Sequence, residues 1–448
     1  MLNEGNALRM DWNDVVPASE LNYIMGNPPF VGAKLASKDQ REDKSLMFGS
    51  KISGKLDYVC CWFKKATDFM LLNNKVRGAL VSTNSVCQGE IATLLWKELM
   101  KFGIKIDFAY RTFKWDSEAN LKAHVHCVII GFSLNNVHTD KYIYNENIKQ
   151  KVEIINQYLI PSAPIFVEKR QKNLFNLPEM TKGSQLIDNG NFVFTKDEME
   201  LFIKKYPESS EFFYEYLNAD SFLNSRETTY CICLKNCPQS IKVNCKGIAD
   251  IIKNVYEYRI NSNAISTKKL AATPSDFFIT NIPKGNSMLV PVVSSEQRRY
   301  IPIGFVKEKV IYSNASNYID NASMFYFGLL ISIVHMAWMR AVAGRLESRY
   351  RYSKDIVYNN FPCPKATEEQ INKIEKTAQM ILDSRSLYSD CSLSTLYKDI
   401  SMPHELRKAH QENDKAVLAL YGFKPEATEE EIVAKLMQMY AEKVKEIS

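Results

Sequence analysis

Apolar and polar positions in the first part of the chain switch period several times. Residues 23–25 form a short apolar run that ends at Gly26-Asn27-Pro28-Pro29-Phe30, residues 58–72 carry apolar side chains at helical spacing, and residues 78–82 read as a buried strand. Residues 105–110 and 125–132 add two further strands. Strands alternating with helices over residues 1–135 predict an α/β layer with a mostly parallel sheet. The Gly-rich strand-to-helix turn that opens such a fold does not precede these elements, so the expectation is a partial Rossmann-like sheet that begins in its middle.

From 136 to 365 the texture changes to short β-like runs broken by Pro, Gly, Asn and Ser, which predicts a separate α+β domain. After Pro362-Cys363-Pro364 the period becomes helical, with Ile371, Ile374, Ala378 and Ile381 on one face and a second amphipathic stretch at 429–447. The expected organisation is therefore 1–135, 136–365 and a helical 366–448.

Composition narrows the class. With 46% hydrophobic and 24% charged residues in a chain of 448, the protein is expected to fold, and its net charge of +6 suits a polyanion only if concentrated on one face. The longest apolar run, residues 324–339, contains His335 and falls short of the about 20 residues of a membrane span, so no membrane partner is expected. Residues 1–12 lack a basic segment followed by an apolar stretch, which argues against a secretory signal and for a cytoplasmic protein with its ten cysteines reduced. Cys231, Cys233, Cys237 and Cys245 invite a zinc reading, but no spacing is C-x2-C and residues 230–234 read as an apolar strand, so no metal is expected.

The sharpest chemical signal is Asn27-Pro28-Pro29-Phe30 directly after a strand. An exocyclic adenine amine is a poor nucleophile because its lone pair is delocalised into the ring. A methyl-transfer site must accept both amine hydrogens and draw the nitrogen toward tetrahedral geometry. An Asn side-chain oxygen and a rigid carbonyl, here Pro28 with its fixed φ, can do this together, and Phe30 can stack on the base. A plain Pro-Pro turn after a strand is the bland alternative.

The surrounding segments carry a resemblance. EGNALRMDW (4–12), GNPPFVGAKLASKDQRED (26–43), LDYVCCWFKKA (56–66), VSTNSVCQGE (81–90) and AYRTFKWDSEA (109–119) are similar to gamma-type amino-methyltransferases. With VSSEQRRYIPIGF (293–305), HMAWMRAVAGRLESRYRYS (335–353) and VYNNFPCP (357–364), the whole set resembles the MmeI-type family of fused restriction-modification proteins. That resemblance implies a site-specific, base-flipping DNA adenine-N6 methyltransferase that uses S-adenosyl-L-methionine, with Asn27, Pro28, Pro29 and Phe30 as the catalytic loop. It puts Asn6, with Asp11 as second choice, against the adenine moiety of the cofactor, and Asp57 and Tyr58 along the cofactor pocket. It puts Phe113 or Trp115 on the flipped base, Phe113 being preferred, since an aromatic face offsets part of the unstacking cost. Core packing for the aromatics, a helix-start Asp and a turn Asn are the structural alternatives. Two departures stand out: the family's Gly-rich cofactor loop and its preceding PD-(D/E)xK-like nuclease are absent from the sequence. The chain is accordingly expected to be a truncated form or split subunit that needs an N-terminal half, and neither to cut DNA nor to hold the cofactor unaided.

Residues 136–365 interleave aromatic and basic side chains, including Tyr256, Tyr258 and Arg259, then Arg298, Arg299 and Tyr300, then the run from Arg340 to Tyr352. Double-stranded DNA is the expected partner, with Arg298, Arg299, Arg345, Glu347, Arg349 and Arg351 as candidate contacts, since phosphates favour Arg and Lys and base edges favour planar forked donors. Glu347 and Arg349, two apart, could read the two halves of one C·G pair, a carboxylate accepting from cytosine N4 and a guanidinium donating to guanine; an intra-loop ion pair is the plain alternative. Competing functions are a non-catalytic DNA-binding specificity subunit or remnant, and an RNA or protein amino-methyltransferase.

Overall fold

The computed structural model describes residues 4–115, 125–134, 140–346 and 348–447, with the side chains of Lys114, Trp115 and Val125 outside that description. Contacts group the chain into two compact units whose segments alternate along the sequence. One gathers Met1–Gln171, Ala337–Pro362 and Thr428–Ser448, the other Lys172–Met336 and Cys363–Ala427.

The first unit is built on strands β1 (Tyr23–Gly26), β2 (Arg77–Thr83), β3 (Lys105–Trp115), β4 (Val125–Ser133), β5 (Lys141–Asn145) and β6 (Ile148–Val152), in the spatial order β1-β2-β4-β3-β5-β6. The sheet is mixed rather than mostly parallel: β1 with β2 and β3 with β5 run parallel, whereas β2 with β4, β3 with β4 and β5 with β6 run antiparallel. The reason lies in the connections. Helices α1 (Lys38–Phe48), α2 (Ser50–Ser53) and α3 (Cys60–Met70) provide the crossover between β1 and β2 that a parallel pair demands, but consecutive β3 and β4 pair directly as neighbours. The sheet also continues past residue 135, since β5 joins β3 and β6 joins β5.

Local chemistry sets the ends of these elements. Ser37 caps α1 in a reciprocal pair, its hydroxyl accepting from the Gln40 amide at 3.2 Å while Gln40 Oε1 accepts from the Ser37 amide at 2.9 Å. α3 turns Cys60, Phe63, Ala66 and Met70 into the core, where Phe63 and Phe132 pack edge-on or tilted against Trp96 of α4 (Gly89–Met100) and each other. At Gly78 a Cβ would fall 2.7 Å from Met70 and 2.8 Å from Phe132, so only glycine lets helix and sheet close.

The second unit carries two four-stranded sheets and a helix, Lys246–Ile260, that buries Ile248, Ile251, Val255 and Arg259 on one side. Helices Glu368–Ser386 and His404–Leu420 belong to it. Ile374, Ala378 and Ile381 are buried along the expected face, and a Cβ at Gly328 would meet Ile374 and Asn413 at 2.8 and 2.9 Å. Cys231, Cys233, Cys237 and Cys245 lie in this unit's apolar core, and among the described residues no group of three or more potential ligands is arranged for a metal. Among the described residues no single helix is long and apolar enough to cross a membrane.

Candidate functional site

Asn27 leaves the carboxyl end of β1 and is exposed, while Pro28 behind it is buried and Phe30 packs against the core beneath the sheet. The strand registers fix what faces it. Gly26 aligns with Leu80, Leu80 with Ile130 and Ile130 with Ala109; further along, Thr83 aligns with Cys127 and Cys127 with Phe113. β1, β2 and β3 all run the same way, so Asn27, Thr83 and Phe113 share the carboxyl end of the sheet, where open α/β folds hold their ligands. Phe113 is half-buried, just past an irregularity in the β3–β4 register after Tyr110. The Trp115 side chain lies outside the described residues.

The segment after Asn27–Phe30 is pinned by residues from three directions. Asp57 accepts from the Ala33 amide at 2.8 Å and from Ser85 Oγ at 2.6 Å, tying this segment to the end of β2. The Tyr58 amide donates to the Val31 carbonyl at 2.8 Å. Lys44 of α1, almost wholly buried, donates to the carbonyls of Leu56 at 3.0 Å and Ala33 at 3.5 Å. Asp57 and Tyr58 thus hold residues 31–33.

Asn6 and Tyr58 converge on a residue that sequence reasoning missed. Asp43, 1% exposed, accepts from Tyr58 Oη at 2.7 Å, Arg9 Nε at 2.6 Å and Asn6 Nδ2 at 3.1 Å. Burial works to raise its pKa, but the bonds from Tyr58, Arg9 and Asn6 outweigh it and hold the carboxyl below its ordinary range, while burial and the same bond push the Tyr58 hydroxyl up. The Asn6 side-chain oxygen takes the Leu8 amide at 3.0 Å. Asp11 caps the turn Trp12–Asp14, and both its contacts, from the Asn13 amide and side chain, fall on Oδ1.

The basic candidates separate. Strands Gly344–Leu346 and Arg349–Arg351 form a hairpin in which Leu346 faces Arg349 and Gly344 faces Arg351; both arginines are exposed. Arg345 points the other way, stacked 3.7 Å over the buried Tyr350 ring, and does not share their face. Glu347 lies outside the described residues. The hairpin belongs to the first unit, and its start abuts α4: a Cβ at Gly89, whose φ is +56°, would fall 3.0 Å from Gly344 Cα. In the second unit Arg299 is exposed, and Arg298 is partly buried with its pKa lowered by that burial. Tyr300 is core, donating to Asp414 Oδ2 at 2.6 Å.

Two other cations have structural duties. Arg340 forms a two-pronged pair with Glu429, Nε and Nη2 each at 2.8 Å. Arg259 is fully buried and donates Nε to Ile187 O at 2.8 Å, Nη1 to Leu270 O at 3.1 Å and Thr273 O at 2.8 Å, and Nη2 to Leu186 O at 3.0 Å and Asp276 O at 2.8 Å. It is a hub for loop carbonyls and presents nothing to a phosphate.

The chain thus presents a sheet with an Asn-Pro-Pro-Phe loop at its carboxyl end, followed by a basic-aromatic α+β segment. Family models identify these parts: the DNA-methyltransferase domain of MmeI matches residues 1–145, its target recognition domain 161–365 and its C-terminal domain 366–448. The chain belongs to the MmeI-like family. It is 38% identical over 441 residues to DNA methyltransferase A of Bacillus subtilis (strain 168), an alignment that covers 98% of this chain and 50% of that protein. It superposes with a TM-score of 0.91 and 42% identity on the Type IIL restriction-modification enzyme MmeI solved in complex with DNA, over 99% of this chain and 60% of that one. It thus spans about half the length of the curated relative it matches.

Proposed function

We propose that this chain provides the catalytic loop and target recognition of a site-specific DNA adenine-N6 methyltransferase of a restriction-modification system. The observation that carries this is the shared carboxyl end of β1, β2 and β3: an exposed Asn27 with Pro28 fixed beneath it, and the aromatic Phe113 three strand spacings away. Those spacings amount to roughly 14 Å, which leaves room for a purine between the two side chains. Asn27 Oδ1 and the Pro28 carbonyl accept the two amine hydrogens, and Phe30 or Phe113 supports the extruded ring.

The donor set suits S-adenosyl-L-methionine, which supplies an activated methyl group. Asn6 is tied into the turn, its Nδ2 donating to Asp43 and its Oδ1 accepting from the Leu8 amide, whereas Asp11 Oδ2 has no hydrogen bond among the described residues, which supports Asp11 as the partner for the adenine amine of the cofactor. Gln88 Oε1 is buried without a partner among the described residues and offers a further acceptor. Asp57 acts by fixing residues 31–33. β1 is the edge strand of the six-stranded sheet, so its outer backbone groups suit pairing with polypeptide that carries the Gly-rich loop. Arg298, Arg299, Arg349 and Arg351 face double-stranded DNA, with Arg345 bracing the hairpin from behind.

The test is Asn27→Ala in the methylation-competent protein. Transfer of labelled methyl to adenine in duplex DNA should fall by about a hundredfold or more, the scale of losing one transition-state acceptor, while DNA affinity holds within about twofold. Loss of both together would assign Asn27 to the fold. Equal binding of duplex RNA in competition would favour the RNA alternative.

A further inference from the structure

We propose that the adjacent buried pair Asp43 and Lys44 is a positioning device that locks the catalytic loop and the cofactor-side segment into one register. It rests on the methyltransferase reading above. The two residues sit side by side on α1 and reach to opposite clients. Asp43 gathers Asn6 and Arg9, the start of the turn that leads to Asp11, and also takes the Tyr58 hydroxyl. Lys44 holds the Ala33 and Leu56 carbonyls.

The two sets interlock through residues 57 and 58. Tyr58 donates its hydroxyl to Asp43 and its amide to Val31, and Asp57 takes the Ala33 amide, so the Ala33 peptide is gripped at its N–H by Asp57 and at its carbonyl by Lys44. A buried carboxylate and a buried ammonium are costly unless their partners are fixed, and here the partners are the segments themselves. Moving either segment exposes one charge to an unsatisfied interior. Ordering of one client therefore lowers the cost of ordering the other, and neither Asp43 nor Lys44 needs to touch a reacting atom.

The experiment is amide hydrogen exchange, read by mass spectrometry, on wild type, Asp43→Asn, Lys44→Met and the milder Tyr58→Phe. Asp43→Asn and Lys44→Met should each accelerate exchange about tenfold or more in residues 4–12 and in residues 27–36, while β2 and β4 keep their protection. Tyr58→Phe, which removes one bond and keeps the ring, should show the same paired pattern at smaller amplitude, and it decides the matter if either charge variant fails to fold. Loosening of one segment alone, or of neither, overturns the proposal. In the methylation-competent protein Asp43→Asn should lower kcat and raise KM for S-adenosyl-L-methionine, each by about tenfold, with DNA affinity unchanged. A wild type that transfers no methyl even when an N-terminal half carrying the Gly-rich loop is supplied, yet shows paired loosening in the variants, would sink the enzymatic reading and leave the coupling standing. A wild type that transfers methyl with no paired loosening would do the reverse.

Discussion

Replacing Arg259 by Lys keeps the charge and most of the stem, and tests whether the buried guanidinium holds the second unit together. A guanidinium has five N–H donors, and Arg259 spends all five on the carbonyls of Leu186, Ile187, Leu270, Thr273 and Asp276. An ammonium has three. At least two carbonyls lose their partner in the interior, at about 1–3 kcal/mol each, so the Lys variant should lose about 2–6 kcal/mol. That is a large share of the about 5–15 kcal/mol that typically stabilises a domain. Arg259→Met, which leaves all five carbonyls unpaired, should lose more. Denaturant unfolding measures it with two probes. Trp12, Trp62, Trp96, Trp115 and Trp338 all lie in the first unit, so their fluorescence follows that unit, whereas circular dichroism follows both. The destabilisation should appear in the dichroism component that tryptophan fluorescence does not share. A loss below about 1 kcal/mol would mean that water replaces the guanidinium freely, and would refute the accounting.

Acid should weaken the same unit, since burial pushes His335 down to about 3 and, with Arg385 and Arg299 nearby, pushes His410 well below the ordinary 6.5. The unfolded chain gains these protons as pH drops below 6.5 and the folded chain does not. Stability is therefore complete above that value and should fall by about 2–3 kcal/mol by pH 5.5, with His410→Gln halving the slope in urea titrations across pH. Arg299→Ala should leave the melting temperature unchanged, weaken binding to all duplexes about equally and lower the salt dependence by about one phosphate; a changed sequence preference would make it a base reader. Exchanging the hairpin pair, Glu347→Lys with Arg349→Asp, should turn a preference for C·G at one position into G·C by about tenfold in selections from a random pool. Identical selected sites would show that neither residue reads a base.

What was legible in the sequence was local. The strand ending just before Asn27, the helix around residues 60–70 and the apolar face Ile374, Ala378, Ile381 follow from period and turn chemistry over a few residues. Asp43 was hidden because its partners lie 15, 34 and 37 residues away, and nothing near it in sequence marks it as more than a helix-surface acid. Arg259 misled because it stands beside the exposed Tyr256 and Tyr258, although its own spacing from Ile248, Ile251 and Val255 puts it on their buried side. The mixed character of the sheet was missed for a different reason. Strand direction depends on how β3 and β4 are joined, which hydrophobic period does not report.

The near-contact of Gly89 with Gly344 joins α4 to the recognition hairpin, backbone against backbone, with no side chain between. Under the proposed function this makes the molecule a ruler with replaceable markings. The spacing between α4 and the hairpin is set by main chain and tolerates no side chain between them, whereas the chemistry that Arg349 and Arg351 would offer a base is carried by exposed, replaceable side chains. Under that reading a recognised letter can be traded for another by side-chain substitutions alone, while the interval between reading and marking stays constant.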